Sequence, residues 1–116
     1  MAPRELDKTE WRGFCDRLSK ALIGKRAEIE ILSLALGDQI EAEWLPLLGI
    51  VYDPKTDTVE IALDGLDHMI RHPRALLADV ASGGLVTLEI IEGDGTRQLV
   101  KMRDPLMLPP VSTTAG

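Results

Sequence analysis

The chain has 116 residues, 45% of them hydrophobic, and a formal net charge of −6. This length suits one domain, and we expect residues 1–108 to form it and the Pro-, Ser- and Thr-rich residues 109–116 to be a flexible tail. The acidic balance disfavours nucleic-acid binding, which needs cations to neutralise phosphates. Because no apolar run approaches a membrane span and the first residues lack a signal peptide's apolar region, we expect a soluble, cytoplasmic protein without membrane contact.

An N-terminal helix is the first predicted element. Asp7 followed three residues later by Glu10 is typical of a capping box. Apolar residues then recur at helical spacing, at Trp11, Phe14, Cys15, Leu18 and Leu22. Gly24 is predicted to end the helix in a left-handed conformation. Since Cys15 lies on the apolar face of this helix, we expect its thiol to be buried and unreactive.

From residue 26 onward the apolar residues recur with a period of two, the pattern of a half-buried strand. This alternation changes phase near Leu32, which predicts a β-bulge or a sharp bend there. The alternation resumes over residues 39–44 and stops before Pro46. Because proline cannot donate to a β-ladder, we expect Pro46 to mark a kink or an edge position.

Two β-hairpins follow. Residues 47–52 and 59–63 flank the turn sequence Asp-Pro-Lys-Thr-Asp, and residues 85–91 and 97–102 flank a glycine-containing turn. The segment between the hairpins is ambiguous. Residues 67–72 could form a helical turn that Pro73 stops, and residues 74–81 could form a helix or, as we prefer, a short strand.

These elements together predict an α+β fold. The N-terminal helix would pack on a bent, mainly antiparallel sheet, or a partial barrel, of five to six short strands. We expect the helix to close one face or one open end of that sheet. A fold of this kind is a scaffold, so function has to be argued from particular side chains.

Several short motifs resemble a known family when their order and spacing are taken together. They are Trp11 with Phe14, Gly24, Glu28-Ile29-Glu30, Glu41-Ala42-Glu43, Leu45-Pro46-Leu47, Gly49-Ile50, Asp67-His68 and Asp94-Gly95-Thr96. This set is similar to the uncharacterised bacterial family filed as domain of unknown function 5335. The resemblance implies a small bacterial protein, and it implies no activity and no catalytic residues.

Asp67, His68 and His72 are candidate metal ligands. If residues 67–72 were helical, the two histidines would lie one turn apart on the same face, a spacing that can chelate a divalent metal such as Zn²⁺. Asp67, or Asp64 nearby, could add a carboxylate. The simpler interpretation is that Asp67 caps a turn, His68 packs or bonds to the backbone, and His72 is exposed. We expect no cofactor, with a divalent metal as the alternative.

Trp44 and Leu45, next to Pro46, are candidate partner-binding residues because exposed tryptophan is common at protein interfaces. Packing in the core is the alternative. As no complete catalytic set is visible, we expect a non-catalytic module that binds a protein partner or itself, rather than an enzyme. Two other functions remain: metal binding or metal-dependent catalysis through His68 and His72, and Sm-like RNA binding, which the acidic charge disfavours.

Overall fold

A computed structural model describes residues 4–22, 24–33, 37–80 and 86–103. It contains the strand β1 (Arg4–Glu5), a 3-10 turn (Lys8–Glu10), the helix α1 (Trp11–Leu22), and the strands β2 (Arg26–Ser33), β3 (Gly37–Asp53), β4 (Thr58–Leu63), β5 (Leu66–Arg71), β6 (Pro73–Val80), β7 (Val86–Glu92) and β8 (Arg97–Arg103). The fold is α+β as predicted, but over the described residues the sheet has eight strands instead of five to six. The predicted boundary between domain and tail lies outside the described residues.

Local interactions account for the limits of α1. The Glu10 carboxylate accepts a hydrogen bond of 3.2 Å from the Asp7 N–H, as the capping pattern predicts. The indole N–H of Trp11 donates to the carbonyl of Leu6 at 3.0 Å, which ties the incoming chain to the helix. Gly24, with φ of +84°, has the left-handed conformation expected just after the helix. Among the described residues, no helix is long and apolar enough to span a bilayer.

The strands form one antiparallel sheet in the order β1-β6-β7-β8-β2-β3-β4-β5. The long strand β3 belongs to both halves of this sheet: up to Pro46 it pairs with β2, and from Leu47 it pairs with β4. Pro46 therefore lies where the strand changes its neighbour. One long strand replaces the two short strands that the sequence predicted on either side of this proline.

The β-bulge between β2 and β3 does not lie at Leu32, where the sequence predicts it, and the extra residue belongs to β3. Leu32 pairs in regular register with Asp38 and Arg97, and the register shifts lie between Ala27 and Glu30. There, β3 has two residues opposite the single residue Glu28. The apolar pattern was misleading because the residues at the end of β2 are half-buried and do not distinguish a core face from a solvent face.

Residues 66–71 and 73–80 are extended, so the predicted helical turn over residues 67–72 is wrong. Residues 66–71 pair along their whole length with β4, and the preferred strand beginning near residue 74 is confirmed as β6. Between the two strands His72 has φ of 54°, a left-handed conformation that turns the chain from one half of the sheet into the other. Tertiary pairing with β4 thus overrides the weak helical pattern.

Over the described residues, one hydrophobic cluster joins the helix to the sheet. Trp11, Cys15 and Leu22 of α1 are buried with apolar side chains from both halves of the sheet, such as Ile61 and Leu88. The helix packs against β3. The Ser19 hydroxyl of α1 accepts from the N–H of Ile50 and donates to its carbonyl, each at 2.7 Å. The helix therefore supplies hydrogen-bond partners to the β3 backbone at Ile50, beyond Pro46, where β2 no longer pairs with β3.

Candidate functional site

The two histidines proposed as metal ligands lie in different surroundings. His68 is on β5 opposite Ile61 and is partly buried, whereas His72 is exposed at the turn into β6. Four residues of extended chain span about 13 Å, compared with about 6 Å for one helical turn. Asp67 precedes His68 in the strand, and consecutive strand residues point to opposite faces of a sheet. The helical spacing that motivated the metal hypothesis is therefore absent.

His68 belongs to a chain of polar contacts with the opposite half of the sheet. The buried side chain of Gln98 donates from Nε2 to a carboxylate oxygen of Glu92 at 2.7 Å. Because a carboxylate only accepts, the other end of this amide, Oε1, is the atom that faces His68 Nε2 at 2.5 Å. His68 therefore donates its Nε2 proton to Gln98. This contact satisfies a polar group that would otherwise be buried without a partner.

His72 belongs to a second cluster, centred on Asp57 in the turn between β3 and β4. One carboxylate oxygen of Asp57 accepts from the Tyr52 hydroxyl at 2.7 Å and lies 3.1 Å from Lys8 Nζ. The other lies 3.6 Å from Nδ1 of His72, whose backbone N–H also donates to the Asp57 carbonyl at 2.8 Å. Asp57 has φ of 50°, so both turn residues are left-handed. The cluster holds three parts of the chain together.

Electrostatics in this cluster favour a structural role. The hydrogen bond from Tyr52, with further donors at Lys8 and His72, holds the pKa of the Asp57 carboxyl below its usual range. Burial, followed by the hydrogen bond to Asp57, raises the pKa of Tyr52 to about 12. Near neutral pH the carboxylate is thus ionised and the phenol keeps its proton. Neither group has the intermediate pKa that general acid–base catalysis requires.

A surface hollow of about 440 Å³ adjoins the same cluster and is lined by Lys8, Thr9, Tyr52, Pro54 and Asp57. Its volume is within the range of small-ligand sites. However, its cation and its carboxylate already neutralise each other across 3.1 Å. A charged ligand would have to break that pair, so the hollow is a poor candidate for a charged substrate.

The described part of the chain contains no group of three or more His, Cys, Asp or Glu side chains placed to hold a metal ion. The carboxyl group of Asp67 is directed to another carboxyl group instead: its hydrogen bond with Glu60, together with partial burial, raises the pKa of Glu60. Metal binding by Asp67, His68 and His72 stays the alternative to our expectation of no cofactor, and it lacks the helical geometry that motivated it.

Trp44 and Leu45, the predicted partner-binding residues, differ in their packing. Leu45 packs against the hydrophobic core, whereas Trp44 is a half-buried residue of the β3 bulge with φ of 52°. The Arg103 guanidinium lies 5.4 Å from the centre of the indole ring, within cation–π range. The carbonyl of Trp44 accepts from Arg26 at 3.2 Å. Both residues are half-buried, and Leu45 is the one that packs against the core.

One further surface, which the sequence did not predict, lies at an edge of the sheet. β5 is the last strand of the sheet, and among the described residues nothing pairs with its outer edge. Met69 of β5 is 44% exposed, and Val51 of β3, in the same cross-strand row, is 47% exposed. We call the backbone of β5 and its outward side chains Asp67, Met69 and Arg71 the β5 edge.

A sequence signal for the β5 edge does exist. Asp64-Gly65 lies directly between β4 and β5, and an Asp-Gly pair between two extended segments is a strong hairpin signal. Leu66, His68 and Ile70 are more buried than the residues that alternate with them. This pattern is hard to recognise in the sequence because a histidine points inward and a methionine points outward. Composition therefore concealed a pattern that the turn residues indicated.

Comparison with known proteins agrees with the motif order. Residues 2–111 match the family described as "Family of unknown function (DUF5335)". An uncharacterised protein of Aquifex aeolicus (strain VF5) is 36% identical over 110 residues, which cover 94% of this chain and 99% of that protein. No solved structure gives a significant match. The resemblance found in the sequence is confirmed: the chain belongs to the DUF5335 family of unknown function.

Proposed function

We propose that this protein is a non-catalytic module that binds a protein partner or itself, and that the β5 edge is its binding surface. The strands β3 (from Leu47), β4 and β5 form one half of the sheet, which we call the half-sheet β3-β4-β5. The observation that carries the proposal is that one edge of this half-sheet is covered and the other is not. Ser19 of α1 satisfies the backbone of the β3 edge at Ile50. The β5 edge has no such cover within the described residues. An uncovered strand edge is a template for adding another strand.

The side chains of the β5 edge support the proposal. Met69 and Val51 are large apolar residues exposed to solvent on the same side of the half-sheet, in one cross-strand row with Glu60 of β4 between them. Asp67 and Arg71 flank Met69 at the two ends of the strand and are exposed. An apolar centre between charged residues is the usual arrangement of a protein-binding surface.

The state of the titratable groups supports a binding role over a catalytic one. The Asp57 carboxylate already interacts with Tyr52, Lys8 and His72, and the His68 ring is already hydrogen-bonded to Gln98. These groups stabilise turns and buried polar contacts. A nucleophile next to a free base would have favoured an enzyme.

Trp44 is a second candidate contact in the same function. Its indole ring is half-buried, and its left-handed backbone in a bulge is a sparsely populated conformation of the kind that often occurs at functional positions. Leu45 would support such a contact from the core side. The β5 edge remains the main proposal because it offers both unpaired backbone and apolar surface.

Site-specific photo-crosslinking tests this function. A benzophenone-bearing residue replaces Met69 in one variant and Asp94, in the exposed turn between β7 and β8, in a matched control. We expect irradiation in lysate of the source cells to give discrete protein adducts from position 69 and none from position 94. Adducts of the same pattern from both positions, or none from position 69, would refute the proposal. Circular dichroism would establish that both variants are folded.

A further inference from the structure

The outward side chains of β5 form a charge pattern with a direction. Asp67, Met69 and Arg71 point to the solvent side, while Ile70 is buried and His68 contacts Gln98 inside the sheet. Along the exposed side the order is thus an anion, an apolar residue and a cation. The charge is therefore negative on one side of Met69 and positive on the other.

Such a pattern complements itself in an antiparallel arrangement. If the β5 strands of two copies pair about Met69, Asp67 of each copy lies directly opposite Arg71 of the other, and the two Met69 side chains meet at the centre. Directly opposite residues of an antiparallel pair interact, and opposite charges in these positions are favourable. The arrangement has twofold symmetry, so the two copies use the same surface.

Other registers lack this match. A shift by one residue would place outward side chains opposite inward ones. Among registers that keep the faces aligned, centring the pair on Asp67 or on Arg71 brings like charges together. Centring it on His68 or Ile70 leaves each charge opposite a residue without charge. The register about Met69 is the one that satisfies both charged residues.

Among the residues that the structure describes, neither charge is paired with an opposite charge. Asp67 contacts the carboxyl group of Glu60, an arrangement between two acids. Arg71 makes no ion pair with the described residues, unlike Arg97, which lies 3.4 Å from Glu89, and Lys101, which lies 3.8 Å from Glu30. A second copy would supply a cation to Asp67 and an anion to Arg71.

We propose that the partner of the β5 edge is a second copy of this chain, joined by antiparallel β5–β5 pairing centred on Met69. The proposal rests on the function proposed above and names the partner for it. The β3-β4-β5 half-sheets of the two copies then lie side by side, so that six neighbouring strands run across the dimer. The exposed edge of each protomer is thereby removed.

Charge exchange tests the register. Sedimentation equilibrium of the full chain should give a mass above the 12.7 kDa of one chain, rising with concentration. Asp67→Arg alone, or Arg71→Asp alone, places like charges opposite each other and should weaken dimerisation about tenfold or more. The double variant Asp67→Arg/Arg71→Asp restores opposite charges and should restore dimerisation. Thermal melts of each variant would show that the fold is retained.

Met69→Lys and Val51→Lys form a matched pair, because the two residues are similarly exposed on the same face. Met69 lies at the dimer axis, whereas Val51 is two strands away. We expect Met69→Lys to abolish the dimer and Val51→Lys to leave it unchanged.

A wild-type chain that stays monomeric up to about 1 mM would overturn this inference. A dimer whose affinity is unchanged by either charge reversal would also overturn it. If position 69 still crosslinks to a different protein in lysate while the purified chain is monomeric, self-pairing is wrong and the binding function stands. If position 69 crosslinks to nothing, both are wrong.

Discussion

Two left-handed residues without the freedom of glycine face each other at the turns of this protein. Asp57 and His72 have φ of 50° and 54°, a conformation that costs free energy for most residues. They persist because the backbone N–H of His72 donates to the Asp57 carbonyl and because Tyr52 and Lys8 bind the Asp57 carboxylate. The side-chain cluster and the backbone conformation therefore stabilise each other.

Two substitutions of Asp57 measure what these two features contribute together. Asparagine tolerates the left-handed conformation and still accepts the Tyr52 hydrogen bond, so Asp57→Asn should lower the free energy of unfolding by at most about 1 kcal/mol. Asp57→Ala loses the acceptor and retains the strain, and it should cost about 2 kcal/mol or more. Urea unfolding measures both variants. Equal losses would show that the backbone conformation and the Tyr52 bond contribute little.

Alkaline pH should reveal the buried phenol. The pKa of Tyr52 is raised to about 12 in the folded protein. A raised pKa stabilises the protein fully below the unfolded value of about 10, and this stabilisation is lost as the pH rises towards the folded value. The melting temperature of the wild type should therefore fall more steeply above about pH 10 than that of Tyr52→Phe. Parallel curves would be inconsistent with this assignment.

Cys15 also makes stability depend on pH in the alkaline range, equally in the wild type and in Tyr52→Phe. Burial, with Asp16 as a smaller cause, raises the pKa of its thiol to about 12. Its stabilisation declines above the usual cysteine pKa of about 8.5. The comparison between wild type and Tyr52→Phe removes this shared effect. A thiol reagent should also label Cys15 slowly in the folded state, as expected from its position in α1.

The helix α1 protects an edge of the sheet as well as filling the core. Beyond Pro46, none of the described strands lies beside β3 on the side away from β4, and the Ser19 hydroxyl binds both backbone groups of Ile50 there. A hydroxyl can donate and accept at once, which suits this position. α1 thus occupies the place that another strand would take beside β3.

Removal of that hydroxyl should be costly although it lies on a helix. Ser19→Ala leaves the N–H and the carbonyl of Ile50 without their partner, and we expect a loss of about 1–3 kcal/mol in the free energy of unfolding. Alanine is the better helix former, so helix propensity acts in the opposite direction. Lys20→Ala, at an exposed neighbouring position, is the control and should change stability by a few tenths of a kcal/mol. Equal effects would argue against the edge-covering role.

The sheet as a whole consists of two halves, which are joined by the long strand β3 and by the turn at His72. β3 belongs to both halves, and the turn at His72 leads from β5 in one half directly into β6 in the other. Side chains from both halves and from α1 fill one core. This arrangement leaves His68 inside the sheet and His72 outside it.

The separation of the two histidines gives a prediction for metal binding. Because His68 and His72 have different partners, excess Zn²⁺, Mn²⁺ or Ni²⁺ should not raise the melting temperature of chelator-treated protein. The double variant His68→Ala/His72→Ala should behave like the wild type in this respect. A saturable rise that disappears in the double variant would restore the metal hypothesis and move an enzyme to first place.

Local patterns were reliable where the residues that define an element are neighbours in sequence. The capping residues and Gly24 predicted α1, and the turn residues predicted the β3–β4 and β7–β8 hairpins. The pattern failed over residues 66–71, where Met69 is exposed and His68 points inward. It failed again at Leu32, because the residues at the end of β2 are half-buried. In both places the face of each side chain depends on strands distant in sequence.

Fold class, the helix with its ends and two of the hairpins follow from the amino-acid order, because caps, turns and periodicity act over a few residues. Which strand edge stays open, where β3 changes its neighbour, and which partner each histidine meets depend on pairing between distant residues. His68 and Gln98 are 30 residues apart, and Ser19 and Ile50 are 31 apart. Such contacts form when long loops close, and no local pattern encodes them.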